Sequence, residues 1–584
     1  MLPPFQPSTI HILAFGKMLL FAVLGVGLWT NRKIARRCLL AAGAVIAAIV
    51  TLQVVILWQT PLPFGGLQGD EALTTAFYQR VITDGIGHDL TYAKLPAFYP
   101  PLWFYSIGGI ARMFGLTGVG AAKLAGVIAS LVIPLLSWWF WRTVRRDSDG
   151  PIANPLFPLL LTLTPFLAVD FPSVLAKPYE FASALGVLLW FTVVRRFLAG
   201  SERQLLHMLA IGVLGAALFT TYYLWFVMVG IAVLTFLPWR NPRSLARELV
   251  SWGAIGGVVA LGSLWYWWPL AASYVRHGME NWQPAFFIAS DLNFFPPVEF
   301  TPRSAWLWVG LVALVAYRRR PLIRPALQLL LGCYVWQAVT LVATMFGDAP
   351  FQGARGFTFF GEIILAYGAA YGLTVWIAGS APAQGFTRVA AVLRERFSAA
   401  VPQTGATKFL LAWIAIAVSL PFGLWLDQES TAVRLAAVRQ GSVTAARFAD
   451  YFRTHPEDAK RTALSFFPPL QAQVALPQFI SYNQHYSHPA ARFSERLRYL
   501  RILALAKTPA QFSEWFHRKN VFDPIEQLIL YGDGDDYLLY LWLDDYPNGG
   551  REEVIRWPKR LIAEPYFRQV PELSFGGFST WRVR

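Results

Sequence analysis

The sequence predicts an α-helical polytopic membrane protein with about twelve transmembrane helices and a soluble, mixed α/β domain at its C-terminal end. Of its 584 residues, 55% are apolar and only 14% are charged, whereas a soluble globular protein carries about 25% charged residues. Long apolar runs recur through residues 1–426, and none occurs in residues 427–584. The chain is therefore expected to divide into a membrane domain, 1–426, and a C-terminal domain, 427–584, that is large enough for its own core.

Most of the apolar runs are long enough to span a membrane. They contain mostly about 16 to 23 residues, and a helix of that length crosses about 30 Å of hydrocarbon at 1.5 Å per residue. The runs lie near residues 10–29, 38–58, 119–141, 153–170, 181–196, 205–220, 222–238, 249–270, 305–317, 325–345, 358–378 and 408–426.

The positions of the basic residues predict the orientation. Cytoplasmic loops retain Lys and Arg, so the clusters near residues 32–37, 142–146, 195–203, 240–247, 318–324 and 388–396 are expected in the cytoplasm. Neighbouring clusters must then be separated by an even number of crossings. The stretch 99–114, which contains Arg112 and begins near Pro100-Pro101, is therefore expected to lie at the outer interface. This count places the N-terminus, the loop 59–118 and residues 427–584 outside the plasma (inner) membrane.

Several classes of function are excluded by this arrangement. The net charge of +16 is carried mostly by loops that flank the membrane, not by a soluble nucleic-acid-binding surface. No Walker A or dinucleotide-binding motif follows a strand, and the cytoplasmic loops are too short for a nucleotide-binding unit. Cys38 and Cys333 have no partner nearby in the sequence, so a disulfide framework is not expected. An enzyme with its polar surface outside must take its activated group from the membrane.

An acidic pair begins a predicted helix in the first outer loop. Asp70 and Glu71 precede Leu73, Phe77 and Val81, whose spacing predicts an amphipathic helix lying on the bilayer. The carboxylates have two interpretations, namely stabilisation of the helix N-terminus or catalysis. Adjacent helical positions point about 100° apart, so at most one of the two is expected to face a site.

The motifs around this pair resemble a known superfamily. Gly69-Asp70-Glu71 is followed by an amphipathic helix and by the segment LPAFYPPLWFY, 95–105; this loop is similar to the first outer loop of the GT-C membrane glycosyltransferases. The order of further motifs resembles one family over essentially the whole chain, the arabinofuranosyltransferases that add the first arabinose to galactan in mycobacterial-type cell walls. These motifs are PFGG at 63–66, LTYA at 90–93, KPYE at 177–180, and YSHP at 486–489 with Arg492.

The resemblance implies an inverting transfer of arabinofuranose from a polyprenyl-phosphate donor, decaprenyl-phosphoryl-arabinofuranose, to galactan or another glycan acceptor in cell-wall biosynthesis. Asp70 is then the expected general base, with Glu71 as a helper or substitute. Lys177 and Arg355, isolated cations in outer loops, are expected to contact the donor phosphate. The candidate residues for acceptor binding are Tyr99, Trp103, Tyr179, Glu180, Tyr486 and His488.

The expected partners are the donor lipid, the glycan acceptor and membrane lipids, without nucleic acid. No cofactor is required by this chemistry, and the sequence does not indicate a divalent cation. His485 and His488 lack a carboxylate at metal-ligand spacing. The acidic segment 533–536 lacks the later Glu of a calcium-binding loop, so it is expected to form a turn.

Alternatives remain for the cations and for the function. Lys177 has Glu180 nearby in the sequence and Arg355 has Asp348, so each cation has a potential local partner. Glu362 is costly in lipid and is expected to line a cavity or to pair with Arg355. For the whole chain, the alternatives are a GT-C glycosyltransferase that uses another lipid-linked sugar, and a secondary transporter.

Overall fold

The computed structural model describes residues 63, 67, 69–146, 156–169, 171–200, 204–281, 285–286, 295–298, 302–347, 352–377, 443–518, 520, 522–546 and 548–584. Five helices in these ranges are long and apolar enough to span a membrane: Gly118–Val144, Pro178–Ala199, Pro242–Gly262, Ile323–Gly347 and Gly353–Val375. The predicted runs 10–29, 38–58 and 408–426 lie outside the described residues, so the total of twelve stays a prediction.

The helices of the membrane domain are, in chain order, α1 (Gly69–Asp84), α2 (Leu102–Met113), α3 (Gly118–Val127), α4 (Ile133–Arg146), α5 (Leu156–Leu163), α6 (Pro165–Ala168), α7 (Phe171–Ala176), α8 (Pro178–Ala199), α9 (Leu205–Thr221), α10 (Leu224–Thr235), α11 (Pro242–Gly262), α12 (Leu264–His277), α13 (Pro302–Ala316), α14 (Ile323–Gly347) and α15 (Glu362–Ile377). A π-helical turn, Ile128–Val132, joins α3 to α4. A 3₁₀ turn, Gly353–Gly356, and a kinked segment, Phe357–Gly361, precede α15. Within the kink, Thr358 and Phe359 have non-helical backbone angles.

Two of the predicted runs are interrupted. Run 153–170 divides into α5 and α6, because Pro165 starts a new helix after Thr164. Run 249–270 is not one helix, since α11 ends at Gly262 and α12 begins at Leu264. The expectation of a single spanning helix over 249–270 is therefore wrong; α11 begins seven residues earlier, at Pro242, with Asn241 as its N-cap.

Residues 69–113 form a helical unit that packs against the C-terminal domain. Helix α1 is confirmed, but it is not an amphipathic helix on a bilayer, because Thr74, Thr75 and Arg80 are buried along with its apolar stripe. It packs against α2, α3 and a helix of the C-terminal domain, so protein covers its polar positions too. The stretch 99–114 is confirmed as a short helix, the twelve-residue α2.

The described part of the C-terminal domain contains a six-stranded sheet with helices beside it. Its elements are β1 (Ala463–Ser465), α16 (Pro468–Gln473), α17 (Phe493–Leu503), α18 (Pro509–Arg518), β2 (Gln527–Asp533), β3 (Asp536–Asp545), β4 (Gly549–Pro558), β5 (Phe567–Gln569) and β6 (Phe578–Val583). The strand order is β4-β3-β2-β6-β5, and β1 pairs in parallel with β2. The predicted turn at 533–536 is confirmed as the hairpin between β2 and β3.

Polar contacts fix this domain on the segment 69–113. The Arg80 guanidinium donates to the Ala475 carbonyl at 2.9 Å. The backbone N–H of Gln478 donates to the backbone carbonyl of Thr91 at 2.8 Å. The Tyr92 hydroxyl lies 2.7 Å from the Ser487 hydroxyl. These groups are buried, so each bond satisfies atoms that have lost contact with water. The boundary predicted at 426/427 lies outside the described residues.

Candidate active site

Asp70 lies where the membrane domain meets the C-terminal domain. Gly69, with a φ of 52°, begins α1 in a left-handed conformation that glycine adopts without a steric penalty. The Lys177 ammonium lies 2.5 Å from Asp70 Oδ2. The Tyr486 hydroxyl donates a hydrogen bond of 2.8 Å to Asp70 Oδ1. One carboxylate is thus held by residues from two distant parts of the chain.

The surroundings of Asp70 act on its pKa in opposite directions. Burial favours the neutral acid and raises the pKa. The charge and hydrogen bond of Lys177, the more distant charge of Arg355 and the hydrogen bond from Tyr486 all favour the carboxylate. Together they outweigh burial and hold the pKa of Asp70 well below its ordinary value. Asp70 is therefore ionised at neutral pH and forms an ion pair with Lys177.

A second ion pair lies beside the first. Glu180, whose side chain is fully buried, accepts a hydrogen bond of 3.1 Å from the Arg355 guanidinium. The Tyr179 hydroxyl donates to the other oxygen of Glu180 at 3.2 Å and lies 3.1 Å from the Tyr99 hydroxyl. A buried carboxylate requires such partners, because isolated burial of its charge is strongly unfavourable.

The local geometry of α8 separates its two charged residues. Lys177 immediately precedes the helix and Pro178 is its first residue, a position where the missing N–H is not needed. Lys177 pairs with Asp70, whereas Glu180 pairs with Arg355. The local alternative of Lys177 with Glu180 is therefore wrong.

Other predicted pairings have different outcomes. Asp348, the alternative partner of Arg355, lies outside the described residues. Glu362 forms an ion pair with Arg303 and accepts a hydrogen bond of 3.2 Å from the Phe359 amide. The predicted alternative of a pair between Glu362 and Arg355 is therefore wrong, because Glu362 pairs with Arg303 and Arg355 pairs with Glu180.

The remaining predicted site residues lie at different distances from this centre. Glu71 lines a cavity with Thr75 and Lys123, and Ala176 and Pro178, the neighbours of Lys177, line the same cavity. Trp103 is buried between α1 and α2, where its indole N–H donates to the Tyr78 hydroxyl at 2.8 Å. The structure therefore brings together Asp70, Lys177, Glu180, Arg355, Tyr99, Tyr179 and Tyr486. Trp103 lies outside this group.

His488 lies in a packing position. Its Nδ1 accepts a hydrogen bond of 2.9 Å from the Ala490 amide, and its ring packs against Phe98 and Tyr274. Burial lowers its pKa to about 3, because the charged imidazolium is poorly solvated there. The neutral ring helps to join the two domains at this point.

Two residues beside Tyr486 and His485 are not among the predicted site residues. The Tyr482 hydroxyl is buried and has no hydrogen-bond partner among the described residues. Burial raises its pKa, and the charge of Asp70 raises it further. Asp544 lies 3.2 Å from His485, whose ring packs on Tyr486 with centroids 4.1 Å apart. The aromatic segment 482–486 is the only sequence signal for Tyr482, and Asp544 has none.

Comparison with known proteins identifies the family. Residues 1–355 match the family described as "Arabinofuranosyltransferase N terminal". A galactan 5-O-arabinofuranosyltransferase of Mycobacterium tuberculosis is 24% identical over 94% of this chain and 85% of its own length. The enzyme of the same name from Corynebacterium glutamicum is 22% identical over 91% of this chain and 78% of its own length.

A solved structure has the same fold. ArnT from Cupriavidus metallidurans, in a crystal structure with undecaprenyl phosphate, matches with a TM-score of 0.51 and 14% identity over 89% of this chain and 98% of that chain. ArnT is a GT-C enzyme, so the likeness supports the predicted fold class. This chain therefore belongs to the arabinofuranosyltransferase family and is a membrane glycosyltransferase with the GT-C fold.

Proposed function

We propose that this enzyme transfers arabinofuranose from a polyprenyl-phosphate donor to a hydroxyl of galactan, with Asp70 as the general base. The names of its relatives support the sugar and the acceptor. The undecaprenyl phosphate bound by ArnT supports a polyprenyl-phosphate donor. The observation that carries the catalytic proposal is the position of Asp70 between Lys177 and Tyr486.

The reaction is a single displacement at the anomeric carbon. The acceptor hydroxyl attacks this carbon, its proton passes to Asp70, and the bond between the carbon and the phosphate oxygen breaks. Polyprenyl phosphate leaves with one additional negative charge, and the configuration at the anomeric carbon inverts. A general base in such a step contributes about 10²–10⁴ in rate.

Lys177 links departure of the phosphate to the basicity of Asp70. The charge that grows on the leaving phosphate attracts the ammonium, which is thereby drawn away from the carboxylate. Loss of this partner raises the pKa of Asp70. The carboxylate therefore becomes a stronger base as the acceptor proton is released.

Arg355 supplies a second positive charge for the phosphate. Its guanidinium is held by Glu180, and it lies close enough to lower the pKa of Asp70. A guanidinium with five N–H donors retains some for a phosphate oxygen while it contacts a carboxylate. Fixed cations of this kind stabilise the developing charge without reorganisation during the reaction.

The site is proposed to face the outside of the plasma membrane. The basic clusters support this orientation, as does the absence of a nucleotide-binding motif from the sequence, since the donor must then come from the lipid. The proposed domain limits are 1–426 and 427–584. Membership of a glycosyltransferase family decides against a transporter, while another lipid-linked sugar remains the alternative substrate.

The test is sugar transfer by the purified protein in lipid nanodiscs. Synthetic polyprenyl-phosphoryl-arabinofuranose is the donor and a galactofuranose disaccharide is the acceptor. We expect the transfer rate of Asp70→Asn to be lower than that of the wild type by a factor of about 10²–10⁴. Asp450→Asn, the same change at an exposed carboxylate of the C-terminal domain, is the matched control and should retain full activity.

Each result has a distinct meaning. Full activity of folded Asp70→Asn would exclude Asp70 as the base and direct the test to Glu71. Transfer of a different polyprenyl-phosphate sugar by wild type, with none of arabinofuranose, would keep the reaction class and replace the substrate.

A further inference from the structure

One face of the C-terminal sheet contains an open aromatic cleft. Its volume is about 300 Å³. The segment between β1 and α16 contributes Phe466 and Phe467, and strands β2, β3 and β6 contribute Tyr531, Tyr540 and Phe578. The remaining lining residues are Ile529 and Leu538. The cleft is therefore built from rings on four neighbouring elements.

Aromatic surface continues along β3 from the cleft. Alternate residues of a strand share a face, so Tyr540 and Trp542 both lie on the face of the cleft. Tyr531 is 40% exposed and Trp542 is 44% exposed. The Trp542 indole lies directly against Gly550 of β4, where an added Cβ would come within 2.5 Å of the ring. This glycine leaves space for the indole to lie across the neighbouring strand.

The same strand leads to the catalytic carboxylate. Strand β2 pairs with β3 only over Tyr531–Asp533. Farther along β3, the Trp542 amide donates to the Tyr482 carbonyl at 2.8 Å, so the segment 482–486 takes the position beside β3. This segment ends at Tyr486, which contacts Asp70. From Tyr540 to Asp544 the strand extends about 13 Å, and the aromatic face therefore runs toward the active site.

We propose that this aromatic face, defined by the cleft and Trp542, binds the acceptor glycan several sugars away from the hydroxyl that reacts. The proposal rests on the proposed function. The C–H faces of sugar rings are apolar and their edges carry hydroxyls, so they pack on exposed aromatic rings without charge. A linear glycan held along β3 would present its reacting part at Tyr486 and Asp70.

The charges near the cleft favour a neutral glycan over a membrane surface. The residues that line the cleft carry no charge. The adjacent hairpin between β2 and β3 carries Asp533, Asp535 and Asp536; Arg556 lies 3.8 Å from Asp536, and Lys559 donates to the Gly534 carbonyl. Anionic lipid is attracted by an excess of Lys and Arg, which these residues do not provide. A glycan without charge is not repelled, and its hydroxyls can donate hydrogen bonds to carboxylates.

The test compares a galactofuranose disaccharide with an oligosaccharide long enough to reach the cleft. For Trp542→Leu and for Tyr531→Leu, we expect the KM of the long acceptor to rise about 2- to 10-fold, the size of one aromatic contact. The KM of the disaccharide and both kcat values should stay unchanged. Trp542→Phe keeps a ring and should recover most of the loss. Leu505→Ala, at a 70% exposed residue away from this face, is the control.

An equal effect on both acceptors, or none on either, would overturn the proposal. Binding of the long oligosaccharide to the full protein without donor, measured by calorimetry, separates this proposal from the transfer reaction. Wild-type binding that Trp542→Leu weakens supports the subsite even if arabinofuranose is not the sugar transferred. Absence of wild-type binding, or an effect of Trp542→Leu on capture by anionic vesicles instead, would refute it.

Discussion

Removal of the Lys177 charge should change the pH dependence of transfer. In the wild type, the pKa of Asp70 is held low despite burial, because Lys177 lies 2.5 Å away. In Lys177→Met, the effect of burial is no longer offset by the ammonium of Lys177, so the pKa of Asp70 rises. The carboxylate then becomes protonated at a higher pH. When the pH is lowered, the variant should therefore lose activity at a higher pH than the wild type.

The structure sets the size of this effect. Coulomb's law with an effective dielectric constant of about 20 gives ~7 kcal/mol for unit charges at the 2.5 Å separation, equivalent to about 5 in pKa. The side chains of Lys177 and Asp70 are 19% and 31% exposed, so water screens part of this interaction. We therefore expect the acid limb of kcat/KM to move upward by about 2 pH units.

The assay is the pH profile of kcat/KM in nanodiscs. Lys177→Met should also lower the rate at every pH through its loss of phosphate contact, so the position of the acid limb is the informative quantity. Lys94→Met is the control, because Lys94 is 73% exposed and pairs with Asp523, which is not a residue of the site. An acid limb at the same pH in Lys177→Met and the wild type would refute the coupling of these two residues.

Three further predictions concern the neighbouring contacts. Tyr486→Phe removes one hydrogen bond to a carboxylate, so its acid limb should move upward by about 1 pH unit in the same assay; no movement would contradict the bond. Arg355→Met leaves Glu180 buried without its cation and should lower the free energy of thermal unfolding by ~3–5 kcal/mol. The double variant with Glu180→Gln should regain part of this stability but should stay inactive. Because the pKa of His488 is about 3 when folded and 6.5 when unfolded, stability should fall by up to ~1.4 kcal/mol per pH unit below about 6.5. His488→Asn should flatten this fall in unfolding measured at several pH values, and an unchanged slope would contradict it.

The sequence identified site residues singly and failed to identify their partners. Asp70 stood out as an acidic residue at the start of a predicted helix. Lys177 and Arg355 stood out as isolated cations in predicted outer loops, and Tyr486 as part of the motif YSHP. Their pairings depend on how distant segments pack, as with Arg355 and Glu180, which are 175 residues apart. Local spacing reports only neighbours along the chain, so it favoured nearby partners.

The same limit explains the error at α1. Its apolar stripe correctly predicted a helix, because periodicity follows from local geometry. Its polar residues suggested contact with solvent, but Arg80 donates to the Ala475 carbonyl of the C-terminal domain. Whether a polar helix face meets water or another domain depends on tertiary packing, which periodicity does not report. For the same reason, the exposed face of β3 was not predicted.

The contact between Asp70 and Tyr486 has a consequence for biosynthesis. The two residues are 416 positions apart, and a ribosome adds about 5–20 residues per second. A nascent chain therefore carries Asp70, the proposed base, for about 20–80 s before the tyrosine is made. Fragments that end between residues 177 and 486 contain Asp70 and Lys177 but lack Tyr486. The arrangement around the carboxylate is therefore completed only in chains that extend past Tyr486.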